Sequence, residues 1–291
     1  MPGIVVLGMH RSGTSAVTRI LNLLGADVGP EDDLLTEYDN PSGHWESKAL
    51  VACNDRILAA FGRSWDFPPW LGPGWERSPR AERLMPDMAD TFAGVFGSEP
   101  WVWKDPRTCL TFPLWRRVLG PSVLVVLVLR APGAVVSSLK RRDGIPTVYG
   151  SGLWHRYLRA AVRSSEGLPL LCVHFADLVA SPANTVQRVV GDLAALGVDL
   201  RGDVGMAAAS VQGQLVHDGE PTALVRRLTE PTVEVLRSIP ASSRSFRPPT
   251  WSEPPWVRPA LFAYRAQWAL RARHGHPLTP VRDGTPAQDG R

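Results

Sequence analysis

The start of the chain contains the pattern that constrains the fold most. Residues 4–7 (IVVL) form a short apolar run that is typical of a parallel strand buried on both faces. Gly8 ends this run, and Gly13 follows at the spacing of a phosphate-binding loop. From Ser15 onward, apolar residues recur at helical spacing until Gly25, which suits a helix C-cap. A strand, a glycine-bounded loop and a helix direct backbone N–H groups towards an anion, so the pattern predicts a phosphate-binding loop.

The residues inside this loop distinguish it from the loop of nucleotide triphosphatases. That loop reads G-x-x-x-x-G-K-[ST], with a lysine directly after the second glycine. Here Thr14 occupies the lysine position, and the positive charge comes earlier, at Arg11. The segment at residues 11–15 (RSGTS) instead resembles the loop with which sulfotransferases bind the 5′-phosphosulfate of 3′-phosphoadenosine-5′-phosphosulfate (PAPS).

Composition restricts the class of protein. With 291 residues, of which 44% are hydrophobic, the chain can bury one substantial core. Its net charge of +4 comes without blocks of lysine and arginine, which favours a small anionic ligand over nucleic acid. The three cysteines are far apart and form no C-x-x-C motif, so we expect reduced thiols in a cytoplasmic protein. No signal peptide or membrane-spanning run is recognised, and we expect no membrane insertion.

Strand patterns separated by helical patterns follow along the chain. Residues 101–103 (WVW) predict a short strand, and residues 123–129 (VLVVLVL) predict a central parallel strand. A last strand is expected over residues 170–175. This alternation predicts an α/β protein: a three-layer fold with a central parallel sheet.

Helices are expected from near Glu46 to Gly62, over residues 80–97 and from Pro132 onward. Residues 64–75 are rich in tryptophan, proline and glycine, and this composition excludes a regular element. This loop could be rigid and packed on the body of the protein, or an aromatic lid over a substrate pocket.

The chain is expected to form one domain over residues 1–274. Its last part, residues 201–274, is predicted to be a helical region that closes over the sheet. Residues 275–291 are rich in glycine, proline and charge, and we expect this tail to be disordered. His274 and His276 lie at its start without carboxylate or cysteine neighbours, so no metal site is expected there.

A second anion site is predicted where the central strand ends. Arg130 follows that strand directly, at the edge where open α/β sheets bind ligands. Ser138 comes eight residues later, on the predicted helix. A guanidinium can donate two N–H bonds to one phosphate, and a hydroxyl adds a third donor.

Three segments together resemble PAPS-dependent sulfotransferases of the P-loop superfamily, in the bacterial branch that acts on carbohydrates or small molecules. They are residues 8–15 (GMHRSGTS), 104–107 (KDPR) and 130–138 (RAPGAVVSS). Residues 174–178 (HFADL) are a weaker match to the V-x-Y-E-D-L of many relatives. The loop that closes over adenosine in some relatives is not recognisable, although residues 242–247 are a candidate.

The resemblance implies a P-loop-like nucleotide-binding core that uses PAPS, and no metal. It implies transfer of the sulfonate group to a hydroxyl or amine of a small-molecule or carbohydrate acceptor. The residues that it assigns to donor binding are Arg11, Ser12, Gly13, Thr14, Ser15, Arg130 and Ser138. Arg11 would also stabilise the leaving phosphate, which makes it a catalytic candidate.

The other catalytic candidates lie outside the loop, later in the sequence. Lys104 could approach the sulfonate or form a structural ion pair with Asp105, and Arg107 is expected to be structural. Relatives of the carbohydrate type often use a glutamate after the first helix as the general base, which points to Glu46. Glu46 could instead cap the following helix or stabilise its first turn through its charge.

Two histidines are further candidates for the base. His44 is the next choice after Glu46, because an imidazole titrates near neutral pH. His10, inside the loop, is a third candidate, and we expect it to face the backbone or the nucleotide.

Two other functions remain open at this point. One is a P-loop kinase of small molecules that uses ATP and magnesium; Asp105, after a short apolar strand, would favour it. The other is a nucleotide-binding module without catalysis. The sequence identifies neither the acceptor nor the oligomeric state.

Overall fold

The computed structural model describes residues 3–35, 43–211 and 221–273, with side chains as far as residue 266. Its centre is a five-stranded sheet in the order β2-β1-β3-β4-β5. The first four strands in this order are parallel, and β5 is antiparallel to β4. The strands are β1 (Gly3–Leu7), β2 (Val102–Lys104), β3 (Val123–Leu129), β4 (Leu170–His174) and β5 (Ser242–Ser243).

Helices account for most of the remaining described residues. Two further segments, Glu31–Asp33 and Trp75–Arg77, are short 3-10 helices. The α-helices are α1 (Thr14–Leu23), α2 (Lys48–Ala60), α3 (Pro79–Glu82), α4 (Met85–Val95), α5 (Thr108–Leu119), α6 (Pro132–Asp143), α7 (Thr147–Ser164), α8 (Phe175–Ala180), α9 (Pro182–Ala195), α10 (Val204–Ala209), α11 (Ala223–Arg237) and α12 (Val257–Arg273).

Strand β3 shows why the sheet lies between two layers of helices. All seven of its residues are buried. Val125 and Leu127 join a core with side chains of α2, α5 and α7, whereas Val126 and Val128 join a second core with side chains of α1 and α9. Successive side chains of a strand point to opposite faces, so an uninterrupted apolar run needs helices on both sides. The predicted three-layer α/β fold with a central parallel sheet is confirmed.

Some elements differ from the sequence prediction. The helix expected over residues 80–97 is two helices, α3 and α4, and Pro86 lies in the first turn of the second. The last parallel strand ends at His174, because Phe175 begins α8. The C-terminal region is helical as predicted, but it also contributes β5, whose two serines carry no strand signal. The predicted tail, with His274 and His276, lies outside the described residues.

The strand order places a crevice at one edge of the sheet. Strand β1 pairs with β2 on one side and with β3 on the other. From β1 the chain crosses to β2 on one side, and it then returns to β3 on the other side of β1. The connections that follow β1 and β3 therefore run away from each other and leave a crevice between them. Ligands of open α/β sheets bind at such a reversal, outside the carboxyl ends of the strands.

Candidate functional site

The loop between β1 and α1 takes a shape that two glycines permit. At Gly8, a Cβ atom would lie 2.8 Å from Thr14 Cγ2 and 2.9 Å from the Val128 carbonyl oxygen. Gly13 has φ of 88°, and its Cβ would lie only 2.1 Å from Phe175 Cδ2. A side chain at either position would collide with its neighbours, and Gly13 also has a backbone conformation that favours glycine. The glycine spacing in the sequence therefore reflects close packing of the loop.

Arg11 connects this loop to the second predicted anion site. It has φ of 67°, a left-handed conformation that is uncommon outside glycine. Its Nε donates a hydrogen bond of 2.9 Å to Ser138 Oγ on α6. Its carbonyl oxygen accepts a bond of 3.1 Å from Arg130 Nη1. The structure thus brings Arg11 together with Arg130 and Ser138, which lie more than 100 residues later in the sequence.

Phe175 is a residue of this site that sequence reasoning missed. The Arg130 guanidinium carbon lies 4.6 Å from the centre of its ring, a cation–π contact. The same ring packs against Gly13. Phe175 therefore positions both the loop and the arginine. Phe175 directly follows β4, at the sheet edge where the loop and Arg130 also lie. This position was the signal in the sequence that could have identified it.

The loop has donors that suit a phosphate group. Gly13 precedes α1, so the N–H groups of the next residues have no acceptor within the helix. The hydroxyl of Ser12 is buried and makes no hydrogen bond to the described residues. A buried polar atom of this kind usually marks a missing partner. Together with Arg11 and Arg130, these donors fit the phosphates of a nucleotide.

Lys104 and Glu46 form a buried ion pair beside the loop. Only 1% of Lys104 and 7% of Glu46 are exposed. The Lys104 ammonium donates to Glu46 Oε1 and, at 3.3 Å, to Ser15 Oγ. Ser15 in turn donates a bond of 3.2 Å to the carbonyl oxygen of His44. The structure therefore places Lys104, Glu46 and Ser15 in one hydrogen-bonded group.

Glu46 does not cap the following helix. Ser47 is the N-cap of α2, and its hydroxyl accepts a bond of 3.1 Å from the Leu50 N–H. Ser47 Oγ also donates to the carboxylate of Asp33. The capping role that the sequence left open for Glu46 is wrong, because Ser47 fills it.

The ion pair with Asp105, one of the two roles that the sequence left open for Lys104, is not formed. Asp105 Oδ1 accepts from Arg107 Nη1 at 3.2 Å, and Oδ2 accepts from Asn54 Nδ2 at 2.8 Å. Burial raises the pKa of the Asp105 carboxyl, and Arg107 opposes that rise. Arg107 also contacts Asp55 at 2.7 Å and lies 3.9 Å from Glu46 Oε2. Its three carboxylate neighbours support the expected structural role of Arg107.

Asn54 connects this group of charged residues to the buried side chains of α5 through hydrogen bonds. It is fully buried on α2 and donates a second bond, of 3.0 Å, to Thr108 Oγ1. Its Oδ1 accepts from Thr111 Oγ1 at 2.6 Å and from Trp115 Nε1 at 2.9 Å. An amide on the apolar face of a predicted helix was the sequence signal for such a network.

His10 packs against two aromatic side chains beside the loop. Its ring centre lies 4.8 Å from that of Trp65 and 5.5 Å from that of Tyr157. Burial, aided by the positive charge of Arg107, lowers the pKa of His10 well below 6.5, so its imidazole is neutral. Its Nε2 has no hydrogen-bond partner among the described residues.

The tryptophan-rich loop packs partly on the body of the protein. Trp65 and Trp75 pack against the core, and Tyr157 donates a bond of 2.7 Å to the carbonyl oxygen of Trp65. Trp70 is 38% exposed. The first part of the loop therefore covers His10, as the packed alternative predicts.

Two features are absent from the described part of the chain: a helix that could span a membrane and a metal-binding cluster. None of its helices combines the length and hydrophobicity needed to cross a bilayer. No cluster of three or more histidine, cysteine, aspartate or glutamate side chains there has the arrangement of a metal site.

Comparison with known proteins gives one family match. A family model described as "Sulfotransferase family" matches residues 2–200. No curated protein matches the chain.

Three solved structures are similar to this one. The sulfotransferase domain from the curacin biosynthetic pathway has 14% identity and a TM-score of 0.45, covering 80% of this chain and 98% of its own. Sulfotransferase STF1 from Mycobacterium tuberculosis H37Rv has 16% identity and a TM-score of 0.44, covering 79% and 75% respectively. The sulfotransferase domain of the Synechococcus PCC 7002 olefin synthase has 17% identity and a TM-score of 0.43, covering 91% and 94%.

Proposed function

The chain belongs to the sulfotransferase family, and from that premise we propose that it transfers the sulfonate group of PAPS to a hydroxyl or amine of a small-molecule or carbohydrate acceptor. The observation that carries the proposal is the contact between the two predicted anion sites. Arg11 Nε lies 2.9 Å from Ser138 Oγ, and Arg130 Nη1 lies 3.1 Å from the Arg11 carbonyl oxygen. Two adjoining sets of phosphate donors suit a nucleotide with phosphates at two positions.

The donor sites divide between the two sides of the crevice. The 5′-phosphosulfate would be held by Arg11, the Ser12 hydroxyl and the N–H groups at the start of α1. The 3′-phosphate would be held by Arg130 and Ser138. When bound, PAPS would supply an activated sulfonate: an acceptor oxygen or nitrogen would form a bond to sulfur, the S–O bond to the 5′-phosphate in line with it would break, and adenosine 3′,5′-bisphosphate would leave.

The chain's own residues would position the reactants and neutralise charge. Arg11 and Lys104 are the cations next to the loop, and their charge stabilises negative charge that develops on the leaving phosphate. Glu46 would accept the proton of the acceptor hydroxyl. Its carboxylate is already held by Lys104, and only 7% of the residue is exposed, so it is ordered at the edge of the loop. His44 is the alternative base.

The geometry does not favour a magnesium-dependent kinase. Asp105, the carboxylate that would support that function, has one oxygen bonded to Arg107 and the other to Asn54. The hydroxyl of Ser15 contacts Lys104 Nζ and the His44 carbonyl. A kinase loop needs a hydroxyl on magnesium and a lysine at the position that Thr14 occupies here.

Calorimetric titration with adenosine 3′,5′-bisphosphate tests the donor. We expect metal-independent binding in the presence of EDTA, weakened at least about tenfold in Arg130→Ala, since a charged hydrogen bond contributes about 1.5–3 kcal/mol. Arg188→Ala is the matched control, because Arg188 lies on α9 and pairs with Asp192. Preferential binding of ATP with magnesium, or equal binding in Arg130→Ala, would contradict the proposal.

Turnover of the variants Glu46→Gln and His44→Asn tests the base and separates an enzyme from a binding module. A labelled sulfonate donor and a panel of sugars and phenols would provide the assay and identify the acceptor. We expect Glu46→Gln to reduce kcat about 10²–10⁴-fold with unchanged bisphosphate affinity. A comparable loss in His44→Asn alone would assign the base to His44 instead. Transfer by neither variant nor the parent chain to any acceptor would favour the module.

A further inference from the structure

A second cationic region lies away from the crevice. It is a cavity of about 990 Å³ between the loop around residues 69–77 and the outer sides of α5 and α7. We call it the arginine cavity. Its described lining residues include none of the donor-binding candidates. The volume is within the range of about 300–1,000 Å³ that is typical of small-molecule sites.

Arginines dominate the charge of this cavity. Three of the lining arginines are on α7, two are on α5, and one each is on the Trp75–Arg77 turn and on α12, while two glutamates line it. Glu82 pairs with Arg117 at 3.2 Å. A third glutamate, Glu253, lies behind the wall and contacts Arg156 at 2.7 Å. The positive charges therefore outnumber the negative ones.

Three of the lining arginines, Arg116, Arg159 and Arg163, make no ion pair with the described residues. Among the described residues, neither Arg159 nor Arg163 makes an ion pair, although Arg159 Nε donates a bond of 3.2 Å to the Trp251 carbonyl. Burial and the positive charge of Arg163 lower the pKa of Arg159. A neighbouring anion would relieve this repulsion between like charges.

One wall of the cavity is rigid. Arg156 has only 7% of its surface exposed, and its Nη1 donates a bond of 2.9 Å to the Pro69 carbonyl. Its guanidinium carbon lies 4.3 Å from the ring centre of Trp70, and Arg258 packs on the same ring. Trp75, Leu110 and other apolar groups complete the lining. The cavity is thus a fixed cationic surface beside apolar groups.

We propose that the arginine cavity binds a small molecule that carries two or more phosphate or sulfate groups. Guanidinium groups bind tetrahedral oxyanions through paired N–H donors. Arginines on four separate elements can reach several such groups at once, and Arg159 and Arg163, which make no ion pair with the described residues, supply the attraction. A singly charged anion would leave most of these donors unused.

Calorimetric titration with inorganic triphosphate tests the site on the full chain without metal. The Arg130→Ala chain is used, so that the crevice is weakened as a competing site. We expect one binding event that weakens about tenfold or more in Arg159→Gln/Arg163→Gln and falls with rising salt. The control Arg188→Gln/Arg201→Gln removes two arginines that pair with Asp192 and Asp199, and we expect it to bind normally.

Two outcomes would overturn the proposal. One is the absence of triphosphate binding to both the parent and the Arg130→Ala chain. The other is binding that survives in Arg159→Gln/Arg163→Gln. Arg163→Gln alone, which changes an exposed residue, provides a second variant if the double change unfolds the chain. Because bisphosphate binding is measured separately, failure here leaves the proposed donor site unaffected.

Inositol hexaphosphate and inositol hexasulfate, titrated in the same way, distinguish the two ester classes. Tighter binding of one assigns the site to that class, and equal binding indicates recognition by charge. If neither compound binds to the parent chain, that result also counts against the proposal.

Discussion

The crevice and the arginine cavity are both cationic, but they hold their cations differently. In the crevice, Arg11 Nε is bonded to Ser138 and the Lys104 ammonium is bonded to Glu46. In the cavity, Arg159 and Arg163 make no ion pair with the described residues. These two cations of the crevice are fixed through specific partners, whereas the cavity combines paired arginines, such as Arg117 with Glu82, with arginines that make no ion pair with the described residues.

This difference suggests different tasks. A site that stabilises a developing charge benefits from donors fixed in advance, since they need not reorganise during the reaction. A site that only binds a multiply charged molecule can accept it in several orientations, because the attraction depends mainly on summed charge. The crevice has the first kind of construction, and the cavity has the second.

The largest contrast is expected from removing one cation in each region. Lys104→Met leaves the Glu46 carboxylate buried without its partner, so we expect the free energy of unfolding to fall by about 3–5 kcal/mol. Arg163→Met changes an exposed side chain, and we expect a change within about 0.5 kcal/mol. Urea unfolding of both variants measures the difference. Equal effects would show that the Lys104–Glu46 pair does not stabilise the crevice.

Two glycines with left-handed backbones provide the next contrast. Gly13 has φ of 88° and Gly74, in the cavity loop, has φ of 79°. A Cβ at Gly13 would collide with Phe175, whereas none of the described atoms lies within 4 Å of a Cβ at Gly74. We expect Gly13→Ala to reduce the free energy of unfolding by about 2–4 kcal/mol, from backbone strain and overpacking together. Gly74→Ala adds only the strain, about 1 kcal/mol.

Bisphosphate titration separates these glycines by function as well. Gly13→Ala should abolish binding because Phe175 positions both the loop and Arg130, and Gly74→Ala should leave it intact. Normal binding in Gly13→Ala would mean that the loop tolerates displacement from Phe175.

Much of the crevice could be predicted from the sequence because its residues lie next to strong local patterns. Arg130 directly follows an apolar strand run, Arg11 lies in the glycine-bounded loop after another, and the edge of a parallel sheet brings such positions together. The partner of Lys104 could not be predicted, because Glu46 and Asp105 are equally plausible carboxylates in sequence. Only the packing of α2 against α5 directs Asp105 towards Asn54 and Arg107.

The cavity left no comparable signal. Its arginines are scattered from residue 77 to residue 258, on a loop turn and three helices. In a sequence, arginines at separate positions of a helix indicate only an ordinary solvent-exposed face. Their convergence depends on how the loop at residues 69–77 lies across α5 and α7, which neither periodicity nor motif spacing encodes.

The third contrast concerns the pH dependence of stability and involves one buried histidine near each region. Burial lowers the pKa of His155, whose Nδ1 lies 2.6 Å from Thr232 Oγ1 behind the cavity, to about 3. Its pKa in the unfolded chain is about 6.5, so below that pH only the unfolded state gains the proton. His155 therefore makes its full contribution to the free energy of unfolding above pH 6.5. As the pH falls towards 3, this contribution is lost at up to about 1.4 kcal/mol per pH unit. Burial lowers the pKa of His10 as well, so its contribution to the free energy of unfolding is also lost as the pH falls.

Urea unfolding at several pH values between 6.5 and 4.5 measures this effect. In His155→Gln we expect a shallower loss of stability with falling pH than in the parent chain. Arg159→Gln should act in the same direction but less strongly, because the charge of Arg159 contributes to the lowered pKa of His155 after burial. An unchanged slope in His155→Gln would show that this imidazole is protonated in the folded protein.

The smallest expected effect concerns Ser138, which connects the two anion sites of the crevice. Ser138→Ala removes the acceptor of the Arg11 Nε bond and one hydroxyl donor, but it leaves both guanidinium groups in place. A hydrogen bond contributes about 0.5–1.5 kcal/mol, so we expect bisphosphate affinity to fall about three- to tenfold. Ser137→Ala, one position earlier on α6, is the control and should bind normally. Because the cavity shares no residue with this contact, triphosphate binding there should be the same in both variants, and a loss in Ser138→Ala would mean that the two regions are coupled.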